Sequence, residues 1–235
     1  MTRFIHHGDD KRRFIRRMFA EIAPRYDLLN RLLTLGMDRH WRKRLAKAVR
    51  LESGERILDL ACGTGDVART IARQQPESII VGADPVPEML AWTSTRSLRL
   101  RTVCCESEAL PFQDNSFRTI TVAFGVRNFS YLDRSLQEIN RILAPDGCLG
   151  ILEFALPTKG RLRRFYHWYL TSLLPRLGAL LSRGYAYHYL AESIRHFPGP
   201  EDFINLLASS GFSHVVTERF LGGTVWLYRG QKVSA

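Results

Sequence analysis

The chain has 235 residues, 45% of them hydrophobic, enough to bury one substantial core and too few for a second full domain. Its formal charge of +11 is concentrated in two segments: residues 1–50 carry 14 Lys/Arg against 5 Asp/Glu, residues 159–184 carry 6 against none, and the remainder sums to −4. Four cysteines show no metal-ligand spacing, the opening MTRFIHHGDDKRRFIRR lacks a signal peptide's apolar run, and no stretch has the roughly 20 apolar residues of a membrane span, so the reading is a reduced, cytoplasmic protein without a metal site.

Along the chain, residues 12–22 place Phe14, Ile15, Met18, Phe19 and Ile22 on one stripe, with Arg12, Arg13, Arg16 and Arg17 mainly off it, the pattern of a basic amphipathic helix. A second helix is expected over Met37 to Leu51. From there strand-length apolar runs (RILDLA, SIIVGAD, RTVCC, TITVAFG, CLGILEF) alternate with helical segments such as VARTIARQQ and RSLQEINRIL. That alternation predicts a mainly parallel sheet covered on both faces. An insert over residues 156–200 is rich in basic and aromatic residues. After it, HVVTERFL, Gly222-Gly223 and TVWLYRG read as an antiparallel hairpin.

The stretch ILDLACGTGDVA (57–68) satisfies a dinucleotide-binding glycine pattern through Gly63, Gly65 and Ala68. In such folds the glycines admit a pyrophosphate to a helix N-terminus. Asp59 and Asp66 would both face that anion. At an effective dielectric of about 20, like charges about 4 Å apart cost about 4 kcal/mol. S-adenosylmethionine suits the acids better, with its ammonium, its sulfonium and no phosphate. Asp84, 25 residues after Asp59, is placed to accept from both ribose hydroxyls, a position that alone fits either cofactor. Glu106 is placed to accept from the adenine amino group, and the Ser107 backbone to meet the ring edge. For Asp66 the alternative is a helix-start acid on the macrodipole; for Glu106 it is a solvated loop acid.

Several further stretches carry a family resemblance: YDLLNRLLTLGMDRHWR, LDLACGTGD, ALPFQDNSF, FGVRN, YLAESIRHFP and GGTVWLYRGQK. From about Phe14 to Lys232 the chain resembles the UbiE/MenG/COQ5 quinone-biosynthesis C-methyltransferases. The resemblance implies an α/β, class I S-adenosylmethionine-dependent methyltransferase fold, Rossmann-like, with a mainly parallel sheet and a C-terminal antiparallel hairpin. It implies C-methylation of a prenylated hydroquinone ring, demethylmenaquinol and/or 2-methoxy-6-polyprenyl-1,4-benzoquinol. The alternative is an S-adenosylmethionine-dependent enzyme acting on another small aromatic molecule or on RNA. Thr64, Asp84, Glu106, Ser107 and Ala123 become cofactor positions beside Asp59, Gly63 and Gly65, while Arg127 and Asn128 fall near the substrate. One domain is expected: a helical lid (1–50), a cofactor-binding core (51–155), a substrate insert (156–200) and a C-terminal helix and hairpin (201–235). Tyr26, Asp27 and Asn30 lie in the lid, with Tyr26, Asn30 and His40 expected at the substrate, and Asp27 and Asn30 alternatively capping a helix.

The chain departs from the family pattern in having Thr34 and then Asp38 where Ser and His are usual, with histidine displaced to His40. Glu106, Asp146-Gly147 and Ala155 are further departures, and SRGYAYHYL lacks a usual acid. These bear on which quinol is methylated.

Methylating a ring carbon requires an electron-rich ring, hence the quinol with a hydroxyl deprotonated. Bringing a phenol pKa from near 10 to about 7 takes about 4 kcal/mol of differential stabilisation. Arg127 and Asn128, after a strand's carboxyl end, are the expected source, with a water or nearby carboxylate taking the proton. His40, His188 and His196 are weighed as acid–base groups against the commoner role of packing or surface histidines, and Arg127 against a structural loop salt bridge. The two basic segments fit a polyanionic partner, nucleic acid or an anionic membrane. The absence of an N/D-P-P-Y/F motif and of an appended RNA-binding module weighs against nucleic acid. The expectation is peripheral contact with the membrane's inner face, with Arg161, Arg163 and Arg164 of the insert contributing; oligomeric state, a homo-oligomer included, stays open.

Overall fold

The computed structural model describes residues 8–49, 51–93, 100–157 and 185–233, with residues 164, 166, 168, 169 and 172 of the insert. The chain opens with α1 (Gly8–Ile22), a short 3-10 turn (Ala23–Arg25), α2 (Tyr26–Leu33) and α3 (Asp38–Ala48). There follow β1 (Arg56–Leu60), α4 (Asp66–Gln74), β2 (Ile79–Asp84), α5 (Pro87–Trp92), β3 (Leu100–Cys104) and β4 (Phe117–Ala123). A 3-10 turn over Val126–Asn128 leads to α6 (Leu132–Ile142) and β5 (Leu143–Phe154). The described chain ends with α7 (Tyr185–His196), α8 (Pro200–Ser209), β6 (Phe212–Phe220) and β7 (Val225–Lys232).

The seven strands form one sheet in the order β3-β2-β1-β4-β5-β7-β6. The first five run parallel, and β7 is antiparallel to both neighbours. The expected alternation and terminal hairpin are therefore both present. Strand order reverses at β1, so the crevice between the carboxyl ends of β1 and β4 is where an open α/β sheet binds its ligand. In the hairpin, Phe220 pairs with Val225 across a turn in which Gly222 (φ 63°) and Gly223 (φ 95°) take left-handed conformations.

Side chains on alternate strand positions build a core on each face of the sheet. Leu58 and Leu60 of β1 join Ile120, Val122 and the α6 and α8 residues Leu136, Ile139 and Phe203. Ile57, on the opposite face, joins Ile80, Ile71 of α4 and Trp41 and Leu45 of α3. Asp59 shares the parity of Ile57, so the strand that builds the core also buries a carboxylate. At Asp146, φ is 57°, a left-handed position that aspartate tolerates better than most residues, so the family's usual glycine is dispensable there. Among the described residues no helix is long and apolar enough to cross a membrane.

Gly150 of β5 sets the height of α3. A Cβ there would lie 2.4 Å from Val49 Cγ1 and 2.8 Å from Leu45 Cδ1. Since α3 carries residues of the site, this approach transmits core packing to function. Gly150→Ala is expected to lower stability by about 1–3 kcal/mol, read as a shifted urea midpoint; an unshifted midpoint would show that α3 is not held this closely.

Candidate active site

The glycine turn between β1 and α4 owes its shape to two buried carboxylates. Asp84 accepts from the backbone N–H of Gly63 at 2.9 Å and of Val86 at 3.0 Å. Asp59 accepts from Ala68 N at 3.0 Å and from the Thr121 hydroxyl at 2.9 Å. Gly63 (φ 53°) and Gly65 (φ 83°) occupy the left-handed region, and a Cβ on Gly65 would meet Thr93 Cγ2 at 2.8 Å. Asp59 is only 1% exposed and has both oxygens turned to these partners. It thus shapes the turn from behind while also lining, with Gly63, Thr64, Asp66 and Ala123, a small hollow at the glycine turn. Asp66, at the start of α4, pairs with Arg69 and lies 3.8 Å from Arg42, which matches its alternative role as a helix-start acid.

A cleft of about 70 Å³ runs along the carboxyl ends of β1, β2 and β4, lined by Gly63, Asp84, Glu106, Ser107, Ala123 and Asn128 among others. Its roof is α1. Glu106 lies 3.8 Å from both Arg12 and Arg16 of that helix, so it is neither a plain solvated acid nor open to the cleft alone. Lys11 donates to the carbonyls of Arg127 (3.0 Å) and Phe129 (2.6 Å), and burial lowers its ammonium pKa to about 8. The Thr64 hydroxyl donates to Asp27 at 2.6 Å, tying α2 to the glycine turn. Asp27 is thereby a tie between lid and core; no side-chain cap of α2 is formed by it.

Beside the cleft lies a second cavity of about 650 Å³, walled by α1, α2, α3, α7 and the Phe124 and Phe154 ends of β4 and β5. Tyr26 lines both spaces, and Asn30 lines the larger one. Two buried ion pairs border it. Asp38 pairs with Arg42 and accepts from the Thr34 hydroxyl at 2.9 Å. Arg127 donates through Nη1 to Glu153 at 2.7 Å and to the Phe124 carbonyl at 2.5 Å, and its Nε is buried without a hydrogen-bond partner.

These pairs revise three sequence-based expectations. Arg127 is not a bare cation, because Glu153, 1% exposed, neutralises it. Asn128 lines the small cleft and not the large cavity, its Oδ1 accepting from the Tyr189 hydroxyl at 3.0 Å. His40 lines neither space. It is exposed on α3 with its ring 6.5 Å from Phe220, because Asp38, Trp41, Arg42 and Leu45 occupy the inward face of that helix. His188 and His196 are exposed as well. The Asp38/Arg42 pair went unread although its i,i+4 spacing signals it. Glu153 and Lys11 gave no such signal, since their partners lie 26 and 116 residues away in sequence.

The carboxylates of Asp84 and Glu106, with a backbone free to approach at the glycines, fit a phosphate-free cofactor carrying positive charge. The profile of the ubiE/COQ5 methyltransferase family matches residues 6–232. The chain belongs to the ubiE/COQ5 methyltransferase family. Among similar family members, one in Geotalea uraniireducens, a ubiquinone/menaquinone biosynthesis C-methyltransferase, is 43% identical over 93% of this chain and 96% of its own. A demethylmenaquinone methyltransferase of Thermus thermophilus is 46% identical over 83% of this chain and 91% of its own. The cyclase SpnF shares the fold, with a TM-score of 0.70 at 18% identity over 94% of this chain and 96% of its own. So does a phosphoethanolamine N-methyltransferase of Haemonchus contortus in complex with S-adenosylhomocysteine, with a TM-score of 0.60 at 14% identity over 81% of this chain and 53% of its own. This ubiE/COQ5 family member is an S-adenosylmethionine-dependent methyltransferase.

Burial pushes the carboxyl of Asp59 up to about 7, against hydrogen bonds from Thr121 and Ala68; burial likewise pushes Asp84 up to about 6. Both values exceed the roughly 3.9 of an unfolded aspartate, so between about pH 4 and 7 the folded state holds more protons than the unfolded one. Stability contributed by these groups is complete at low pH and lost as pH rises through the folded values. For Asp59 the loss is on the order of 4 kcal/mol. Without cofactor, the thermal midpoint is therefore expected to fall as pH rises from about 4 to about 7, and Asp59→Asn to flatten that fall. An equal slope in both proteins would show that Asp59 is not held protonated.

Proposed function

We propose that this chain transfers the methyl group of S-adenosylmethionine to a ring carbon of a prenylated hydroquinone, demethylmenaquinol and/or 2-methoxy-6-polyprenyl-1,4-benzoquinol. The observation that carries the reading is the large cavity of about 650 Å³, which shares Tyr26 with the cofactor cleft and is walled mainly by apolar and aromatic side chains. A prenylated ring has the size and polarity for such a space.

When bound, S-adenosylmethionine supplies an electrophilic methyl on sulfur and leaves as neutral S-adenosylhomocysteine. Asp84 and Glu106 hold its ribose and adenine ends, while Gly63, Thr64, Gly65, Ser107 and Ala123 shape the cleft. On the acceptor side, Asp38 takes the ring hydroxyl's proton. It is the carboxylate that lines the acceptor cavity among the described residues, held in place by the Thr34 hydroxyl and the Arg42 guanidinium. Arg127 offers its unpartnered Nε–H to the phenolate oxygen. Because Glu153 cancels its charge, Arg127 contributes a directed hydrogen bond in an apolar site more than a net field. Asn128 spaces the loop between the two ligands, held by Tyr189. With that methyl in reach, the ring carbon's electron pair would form the new C–C bond as the S–C bond breaks, and the proton on that carbon would pass to water, restoring the aromatic ring. Tyr26 and Asn30 belong to a lid that excludes water from this step.

Such an acceptor resides in a bilayer, so the protein works as a peripheral protein on the inner face of an anionic membrane. Arg161 and Arg163 of the insert lie outside the described residues; Arg164 is exposed.

Incubation with S-adenosylmethionine and a panel of reduced quinols, read by product mass, tests the assignment. Methylation of none of them would refute it. Asp84→Ala is expected to weaken S-adenosylmethionine at least about tenfold, or about 1.4 kcal/mol, by calorimetry; affinity within about threefold of wild type removes the ribose role. Asp38→Asn is expected to lower kcat about 100-fold at neutral pH with cofactor affinity intact. The deficit should narrow toward about pH 10, where the phenol ionises unaided. A deficit constant with pH would assign Asp38 a packing role only.

A further inference from the structure

The mouth of the acceptor cavity carries leucines that stay about half exposed or more. On α2, Leu28 is 56% and Leu32 47% exposed; in the turn that follows, Leu35 is 86% exposed; in the β6–β7 turn, Leu221 is 49% exposed. Leu32, Leu35 and Leu221 all line the cavity, and Leu28 precedes Leu32 by four residues on the same helix. Single exposed leucines are ordinary on protein surfaces, but three lining one opening, with a fourth one helical turn away, are not.

Two of them also oppose local backbone preference. Leu35 (φ 51°) and Leu221 (φ 45°) stand in the left-handed region, which asparagine and glycine adopt far more readily. Neither packing nor turn geometry calls for leucine at either tip. The charge of the surrounding segments is mainly basic, with Glu218, beside Arg219, paired to Arg44 at 2.6 Å. Arg31, Arg39, Lys43 and Arg219 are exposed, whereas the acids between residues 25 and 44 are Asp27, bonded to Thr64, and Asp38, paired with Arg42, both directed inward.

We propose that this leucine rim, with its basic flank, docks on an anionic lipid surface, so that the cavity mouth opens directly onto the bilayer. The proposal rests on the prenylated-acceptor reading and gives it a route: the ring passes from lipid to cavity without crossing water. Apolar side chains inserted at the headgroup boundary and basic residues above it are what an interfacial element requires.

Vesicle co-sedimentation of the full chain provides the test, using phosphatidylcholine alone or mixed with phosphatidylglycerol. The wild type is expected to bind the mixed vesicles, less so at high salt. The double substitution Leu35→Asn, Leu221→Asn should weaken that binding by about tenfold or more. Asparagine suits both backbone positions, so an unchanged circular dichroism spectrum and an undiminished thermal midpoint should accompany the loss. Arg31→Gln combined with Arg39→Gln and Lys43→Gln should remove the preference for anionic vesicles. Undiminished binding by the leucine variant, or equal and salt-independent binding of both vesicle types, overturns the proposal. So does wild-type self-association that the leucine substitutions abolish while lipid binding is absent, since a second copy would then cover the rim. Wild-type turnover of a short-chain quinol in lipid-free buffer tests the acceptor reading separately. Vesicle binding without such turnover supports the docking face and refutes the acceptor, and turnover without vesicle binding does the reverse.

Discussion

Two carboxylates at the ends of neighbouring parallel strands hold the backbone of the site in place. Asp84 and Asp59 accept four hydrogen bonds between them, three from main-chain N–H groups, those of Gly63 and Val86 in the loops at the cofactor cleft and that of Ala68 in the first turn of α4. Burying two acids a strand apart is expensive, and their raised proton affinities register that expense. In return the glycine turn is shaped before any ligand reaches it, which spares the complex the entropy of ordering a loop. A positively charged cofactor would also relieve the strain on Asp84, so the same groups that destabilise the empty fold favour the bound one.

The acceptor side is organised differently. Its polar groups come as neutralised pairs, Asp38 with Arg42 and Arg127 with Glu153, set among aromatic rings such as Phe124 and Phe154, whose centroids are 4.5 Å apart. Paired charges keep an apolar space habitable for a greasy molecule while leaving individual lone pairs and N–H groups available. Removing one member strands the other. Substituting Arg127 alone would leave Glu153 as a buried, uncompensated charge, and the resulting loss of stability would obscure any effect on chemistry.

Much of the sheet was legible in the sequence because strands buried on both faces read as apolar runs, and the glycine turn because its residue types admit few conformations. Asp84 was legible too, lying at the end of a strand beside that turn. What escaped notice were relations between distant segments. Nothing in the order of residues announces that Glu153 closes on Arg127 or that Lys11 reaches the loop after β4. The misplacement of His40 has a different cause: histidine drew attention by its chemistry, while the phase of α3, marked by Trp41 and Leu45, already assigned the inward face to Asp38 and Arg42. Asn128 shows the limit of a motif, since adjacent residues on a 3-10 turn point to different spaces.

The three ties of the N-terminal helices converge on the cofactor side: Lys11 on the carbonyls of Arg127 and Phe129, Arg12 and Arg16 near Glu106, and Asp27 on Thr64. With α1 seated, its Arg12, Ile15, Arg16 and Phe19 line the cleft as a roof. Exchange of spent for fresh cofactor past a seated α1 would require these ties to give way, an arrangement suited to a cycle in which the cofactor binds first.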